Sequence, residues 1–268
     1  MRTLLFATLF AATPVDAADV AVLVGNHDYR LLPDVPGAEV VDAASRAFQA
    51  AGYITISGTN LRANALSDVV DQYSAAHSVA DRVVVVLAGH FFVAGGQTYY
   101  LPVDSRIGSL GAVLTSAVPL SSILGLLADH PGQSLLLLAG DKPGRDGEGV
   151  LWPGIRLPDV PQGVAIGVGT PETIAAALAA LLGDAEISVA DLAARPRGVI
   201  YSGYLSPDLT LASRTEGSKN AAEDGFWQAA DLIATTEAFQ AYLDQYPGGV
   251  YALQAQQRLD AAKAASEN

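Results

Sequence analysis

Cysteine is absent from all 268 residues. That single absence removes disulfides, thiolate metal sites and thiol nucleophiles together. It is compatible with an oxidising compartment without requiring one. Positive charge is scarce as well: 15 Lys and Arg stand against 28 Asp and Glu, a formal net charge of -13. Nucleic acid and anionic membrane surfaces both need a basic face, so neither is an expected partner. Several catalytic signatures are missing too. No Gly-x-Ser-x-Gly nucleophile elbow occurs. "GVGTPE" from Gly167 lacks the third glycine of a dinucleotide fingerprint, and "GDKPGRDGEG" from Gly140 lacks the Lys-Ser/Thr end of a phosphate-binding loop. Those glycines read as turn formers. The four histidines, His27, His77, His90 and His130, do not pair at zinc-ligand spacing on one helix. No metal or other cofactor is implied. No apolar run is long enough for a transmembrane helix.

What is present is a chain that is 50% hydrophobic, enough for a sizeable core. Its length suits one large domain with an appendage, or two modest domains. The opening "MRTLLFATLFAATPVDAADVAV" has Arg2, an apolar run from Leu4 to Ala12, Pro14 and then small residues. This is the pattern of a secretory signal, predicted to span residues 1–17 and to be cleaved between Ala17 and Ala18. The expected location is therefore exported, periplasmic or secreted.

Hydrophobic periodicity sets out the elements. Strands are expected at Ala21–Val24, in "YITISG", at residues 81–90, at Leu135–Leu138, in "GVAIGVG" and in "GVIYSGYL" over 198–205. Amphipathic helices are expected in "GAEVVDAASRAFQAAGY", over Asn64–Ala76, over Val118–Asp129 and in "ETIAAALAALLG". "GGQTYYLPVD" makes residues 91–103 a hairpin. Alternating strands and helices imply a largely parallel sheet, and unbroken Val/Leu runs imply strands buried on both faces. The predicted fold is α/β: about six mostly parallel strands with helices on both faces. Residues 206–221 read as a polar linker. Residues 222–268 read as one helical hairpin broken at Pro247-Gly248-Gly249.

His90 ends the most apolar strand, directly after Gly89. About fifty residues later, the apolar run of "SLLLLAGDK" ends near Asp141. Caspase-type peptidases place a histidine about fifty residues before their nucleophilic cysteine. "VAVLVGNHDY", "PGAEVVDAASRAFQAAGY", "VVVVLAGHFFVAGGQTYYLPVDS", "VPLSSILGLLA" and "SLLLLAGDK" together resemble the caspase-like peptidases, the clan of caspases and metacaspases, in a bacterial form. The resemblance covers roughly residues 20 to 205. It implies a caspase-like domain over 18–205. The C-terminal "AFQAYLDQYPGGVYALQAQQRL" resembles a single tetratricopeptide-like unit.

The departures from the family carry the functional reading. Asp141 stands where the resemblance implies the cysteine, and Ala139 where it implies an acid of a basic-residue pocket. Phe91 replaces the glycine after the histidine, whereas Asp42 matches the remaining pocket acid. A carboxylate attacking an amide would have to form an anhydride and expel an amine, which is badly uphill. Aspartic peptidases instead activate water between two carboxylates, and Ala139 removes the obvious second one. If Asp141 and His90 meet, an ion pair favouring the imidazolium results. The expected protein is a catalytically inactive caspase-like module that binds protein or peptide. The alternative is a hydrolase in which His90, with Asp141, activates water. A third reading leaves the helical hairpin as the only working surface. Loops 91–97 and 141–161 are expected to frame a groove, with Trp152 on the second as a contact anchor, or folded back to plug the emptied pocket. Asp42 and the acidic surface would favour a basic peptide.

Overall fold

The computed structural model describes residues 18–76, 80–106, 110–140, 151–157, 159–195, 197–212, 226–249 and 251–266. They fall into two units, one ending at Ala212 and one beginning at Ser213.

In the first unit the apolar runs become one sheet. Its parallel strands are β1 (Ala18–Gly25), β2 (Ile54–Thr59), β3 (Ala80–Ala88), β7 (Ser134–Ala139) and β9 (Val164–Gly169). β10 (Ile200–Gly203) pairs antiparallel with β9, and the spatial order is β10-β9-β7-β3-β1-β2. Every residue of β7 and β9 is buried, while β2 at the edge is half-exposed. Strands covered on both faces have no solvent side to alternate with, which is why they read as unbroken Val and Leu runs.

Successive residues feed opposite cores. Val84, Val86 and Ala88 join Leu135 and Leu137 on one face, beneath α1 (Val40–Ala50) and α5 (Pro171–Gly183). Val83, Val85 and Leu87 join Leu136 and Leu138 on the other, beneath α2 (Ala63–Ala76) and α4 (Leu120–Leu127). α1 buries Val41, Ala44, Ser45 and Phe48, the stripe expected of a surface helix. Its "AGY" ending is a Schellman stop. Gly52 has φ +87, Gly52 N–H reaches Gln49 O, and Tyr53 N–H reaches Phe48 O. The Tyr53 ring then packs on Phe48, centroids 4.9 Å apart.

A second, antiparallel sheet follows β3. β4 (Phe91–Ala94) and β5 (Gln97–Tyr100) form the expected hairpin, turning through Gly95 and Gly96 at φ +56 and +83. β6 (Val118–Pro119) and β8 (Leu151–Pro153) complete the order β6-β5-β4-β8.

The helix expected over Val118–Asp129 is shorter. A residue before proline is driven out of the helical region, so Val118 and Pro119 extend beside Tyr100 and Tyr99, and α4 begins only at Leu120. Two short helices were not legible, α3 (Leu110–Ser116) and α6 (Val189–Ala193). α6 opens on a capping box between Ser188 and Asp191. The linker also starts later than residue 206. Leu209 and Leu211 are fully buried, Thr210 bridges to Ser188, and Val189 N–H donates to Leu209 O. Two apolar residues in "LTL" are too short a period to show against polar neighbours. The rest of the expected linker, 213–221, and the expected signal, 1–17, lie outside the described residues.

The second unit has helices over residues 226–233 (α7), Thr236–Gln245 (α8) and Ala252–Ser266 (α9). The helix expected to run from Phe226 to the Pro-Gly-Gly break is interrupted: Ala234, at φ 53, separates α7 from α8, so three described helices stand where a two-helix hairpin was expected. Trp227, Phe239, Tyr242 and Leu259 form the core, and Trp227 stacks on Tyr251 with centroids 5.3 Å apart. No described helix is long and apolar enough to cross a membrane.

Candidate functional site

The five parallel strands end at one edge, where open α/β sheets present their chemistry. β3 and β7 are neighbours, with Ala88 opposite Ala139, and Gly89 N–H donates to Ala139 O at 2.9 Å. His90 therefore emerges beside the strand that leads to Asp141. Asp141 itself lies outside the described residues, as do residues 142–150.

His90 is fixed from three directions. Its backbone N–H donates to the Tyr29 hydroxyl at 2.9 Å. Its ring packs on that of Tyr29, centroids 4.6 Å apart. Its Nε2 lies 2.7 Å from the carbonyl oxygen of Pro33. A carbonyl only accepts, so Nε2 carries the hydrogen, and in the neutral ring Nδ1 holds the free lone pair. Among the described residues nothing bonds to Nδ1. The ring can take a proton there without giving up Pro33. Such a histidine can act as a base, or hold charge for an anionic neighbour.

The support is built from the quoted motifs. Gly25 lets α1 approach: an added Cβ would lie 2.3 Å from Ala38 O and 2.4 Å from Val41 Cγ2. Asn26 is fully buried. Its Nδ2 donates to Leu101 O at 2.9 Å and its Oδ1 accepts from Leu61 N at 2.8 Å. The Tyr29 hydroxyl donates to the same Leu101 carbonyl at 3.1 Å. Burial pushes this hydroxyl well above the ordinary tyrosine range, against a weaker opposing pull from the His90 backbone. Asp104 Oδ1 accepts from Ala63 N–H at the start of α2, 3.0 Å away. Gly89 sits at φ +148, and a Cβ there would come within 2.6 Å of the Tyr29 hydroxyl. "GNHDY" and "LPVD" are thus two halves of one bracket around His90.

Other expected site residues are placed differently. Phe91 is only 4% exposed and packs on Tyr100, centroids 5.2 Å apart. Its ring lies against Gly140, where a Cβ would approach it to 3.0 Å. All four side chains of β4 are buried, with Phe91 entering the core beneath α2 and α4 and Phe92 the core beneath α1 and α5. Trp152 is not on a free loop. It lies half-buried in β8, opposite Val93, where a tryptophan suits the edge left open by β4. Ala139 is fully buried among the apolar residues of the sheet. Asp42 is exposed in the first turn of α1, at the same sheet end as His90. A concavity of about 670 Å³ opens between the starts of α1 and α5, with Glu39 and Glu172 on its rim. Another, about 530 Å³, lies at the opposite end of the sheet around Pro131, Gln133, Gln162 and Tyr204, away from His90. His77 lies outside the described residues.

Tyr29 and Pro33 were not singled out from sequence. Tyr29 stood inside a quoted motif, but Pro33 acts through its backbone carbonyl and leaves no side-chain signature.

Residues 18–138, rather less than half of the chain, match the family model described as the caspase domain. The match stops short of Asp141. No curated protein matches the chain significantly. Among solved structures, the Drosophila initiator caspase Dronc aligns with 12% identity and a TM-score of 0.46, covering 72% of this chain and 82% of that one. Residues 18–138 are thus similar to the caspase domain, and they carry β1, β2, β3 and His90 within the six-stranded sheet of an α/β fold.

Proposed function

We propose that the chain is an exported, catalytically inactive caspase-like protein whose strand-end groove binds a basic peptide or protein segment. The observation that carries this reading is the absence of cysteine from the whole sequence, with Asp141 where the resemblance implies that residue. A thiolate attacks because sulfur is nucleophilic and its pKa is readily lowered by a histidine. A carboxylate offers neither property toward an amide. The loss extends to Ala139, buried where the family places a pocket acid. Acid remains around the strand ends: Asp28, Asp34, Glu39, Asp42 and Glu172 are all exposed. Their field favours a basic partner, with affinity that falls as salt screens it.

The test pairs turnover with binding. Fluorogenic peptides ending in Arg, Lys or Asp should not be cleaved. A labelled Arg/Lys-rich peptide should bind, more weakly in high salt and several-fold more weakly to Asp42→Ala. Robust, metal-independent cleavage would sink the inactive reading. Binding that survives Asp42→Ala and Trp152→Ala, but is lost when residues 222–268 are deleted, moves the working surface to the helical unit. Intact-mass analysis of the exported protein should find Ala18 as its first residue.

One observation favours the second reading. Among the described residues nothing bonds to His90 Nδ1, and a ring held so can act as a base on water. On that reading any hydrolysis disappears in His90→Ala.

A further inference from the structure

A second histidine stands at the same sheet edge, in the loop that holds His90. Asn60, at φ 52, closes the end of β2 against that loop. Its Oδ1 accepts the backbone N–H groups of His27 and Asp28, each at 2.9 Å. Backbone N–H groups only donate, so the orientation of the amide is settled. Its Nδ2 then gives one hydrogen to Asp28 Oδ2 at 3.0 Å and directs the other at His27 Nε2, 2.9 Å away. Nε2 must therefore be the bare nitrogen. The ring hydrogen sits on Nδ1, 2.8 Å from Asp28 Oδ1.

The two histidines differ in what a proton does to them. His90 gains one at Nδ1 and keeps its bond to Pro33. His27 can gain one only at Nε2, where it meets the Asn60 N–H head-on. Asp28 attracts the imidazolium, so the protonated ring stays with Asp28 and parts from Asn60.

We propose that the His27–Asn60 contact is a proton-released latch on loop 26–35, the segment that supplies both Tyr29 and Pro33 to His90. Neutral His27 keeps the loop closed. Histidine is the side chain that ordinarily changes charge between about pH 5 and 8, so acidification opens the latch and slackens the seat of His90. The loop of His27 also carries Asp28, Arg30 and Asp34, whose Oδ1 accepts Tyr29 N–H at 3.2 Å, and Arg62 follows two residues after Asn60. Across the edge stand His90 after β3 and Asp104 beside α2. Only the consequence, a groove that loosens in acid, rests on the proposed binding function; the latch itself is read without any peptide.

The test is hydrogen exchange of the full chain at about pH 7.5 and about pH 5.5, corrected for intrinsic rates. Protection of residues 26–35 should fall about fivefold or more in acid, the opening that one lost hydrogen bond brings. His27→Gln keeps an acceptor for Asn60 Nδ2 but does not titrate, so its protection should be equal at both values. His90→Ala should retain the fall. Unchanged protection in the natural protein overturns the proposal, as does an equal fall in His27→Gln, or a fall abolished by His90→Ala. Independently of any variant, nitrogen-detected NMR of the natural protein should find His27 protonated at Nδ1 near neutral pH, and an Nε2–H tautomer would overturn the latch.

Discussion

Pro33 and His90 are joined at 2.7 Å by a hydrogen bond from the imidazole Nε2 to a backbone carbonyl, while Tyr29 receives the His90 backbone N–H at 2.9 Å. One short loop after β1 thus fixes both the direction and the tautomer of a ring that follows β3. The bracket rests on Asn26 and Leu101, which tie that loop to the residue directly after the hairpin.

Tyr29→Phe tests the bracket. It strips the acceptor from the His90 N–H, and leaving a polar group unpaired costs about 1–3 kcal/mol. Leu101 O is not orphaned, because Asn26 Nδ2 still donates to it. Urea denaturation should show this loss. His90→Ala, at a half-exposed position, should lose less. Equal stability of Tyr29→Phe and the natural protein would mean that the hydroxyl holds nothing.

Alkaline pH should unfold the protein through its buried tyrosines. Burial raises the hydroxyls of Tyr29, Tyr73 and Tyr100, and pushes Tyr201 up to about 12. Below about pH 10, the ordinary tyrosine value, folded and unfolded chains both keep these protons. Above it the unfolded chain releases them first, so stability is lost as pH rises. The slope is up to about 1.4 kcal/mol per pH unit for each such tyrosine. Urea melts across this range should show the fall, and phenolate absorbance should appear together with unfolding. Tyr73→Phe should reduce the slope. Phenolate formation that precedes unfolding would contradict the burial argument.

Two glycine substitutions should act in opposite directions. In Gly25→Ala the new methyl meets the Ala38 carbonyl at 2.3 Å, so α1 must move off β1. A loss of about 3 kcal/mol, or insolubility, is expected, at the upper end of overpacking costs. Gly111 lies within α3 with nothing near its Cβ position. Gly111→Ala should gain up to about 1 kcal/mol from helix propensity. Thermal melts of the two variants decide the matter.

Much of this was legible from residues alone. The buried strands announced themselves as unbroken apolar runs. His90 was found because it ends the longest of them. Gly52-Tyr53 marked the end of α1 because only a left-handed glycine permits that stop. What stayed hidden depends on pairing across the chain. Trp152 belongs to a three-residue strand defined by the edge of β4, not by any local period. Phe91 reads as a ring beside the histidine, yet both faces of β4 are covered, so it lies in the core with Tyr100. Leu209 and Leu211 close the first unit within a stretch whose composition is polar. Pro33 contributes an atom that every residue has.

The burial of Phe91 and Ala139 decides the outcome of introducing the residues that the caspase resemblance implies at positions 141, 139 and 91. Asp141→Cys supplies the nucleophile and alters no described residue. On the proposed inactive reading cleavage should still be absent, because Ala139 stands where the resemblance implies a pocket acid. Ala139→Asp would add that acid at a fully buried position in the main core. An isolated buried carboxylate costs several kcal/mol or stays protonated, and neither result makes a charged pocket. Phe91→Gly would empty the space between Tyr100 and Gly140. Truncating a buried phenylalanine costs about 3–5 kcal/mol even when alanine remains, and glycine adds backbone freedom to the unfolded chain. Whole domains hold only about 5–15 kcal/mol. The triple variant should therefore melt far below the natural protein, or fail to accumulate in soluble form, with Asp141→Cys alone melting within a few degrees of it. Expression, thermal melts and peptide turnover of the single and triple variants give the answer. A triple variant that melts near the natural protein and cleaves after Arg or Lys would show that these buried positions tolerate the residues the resemblance implies.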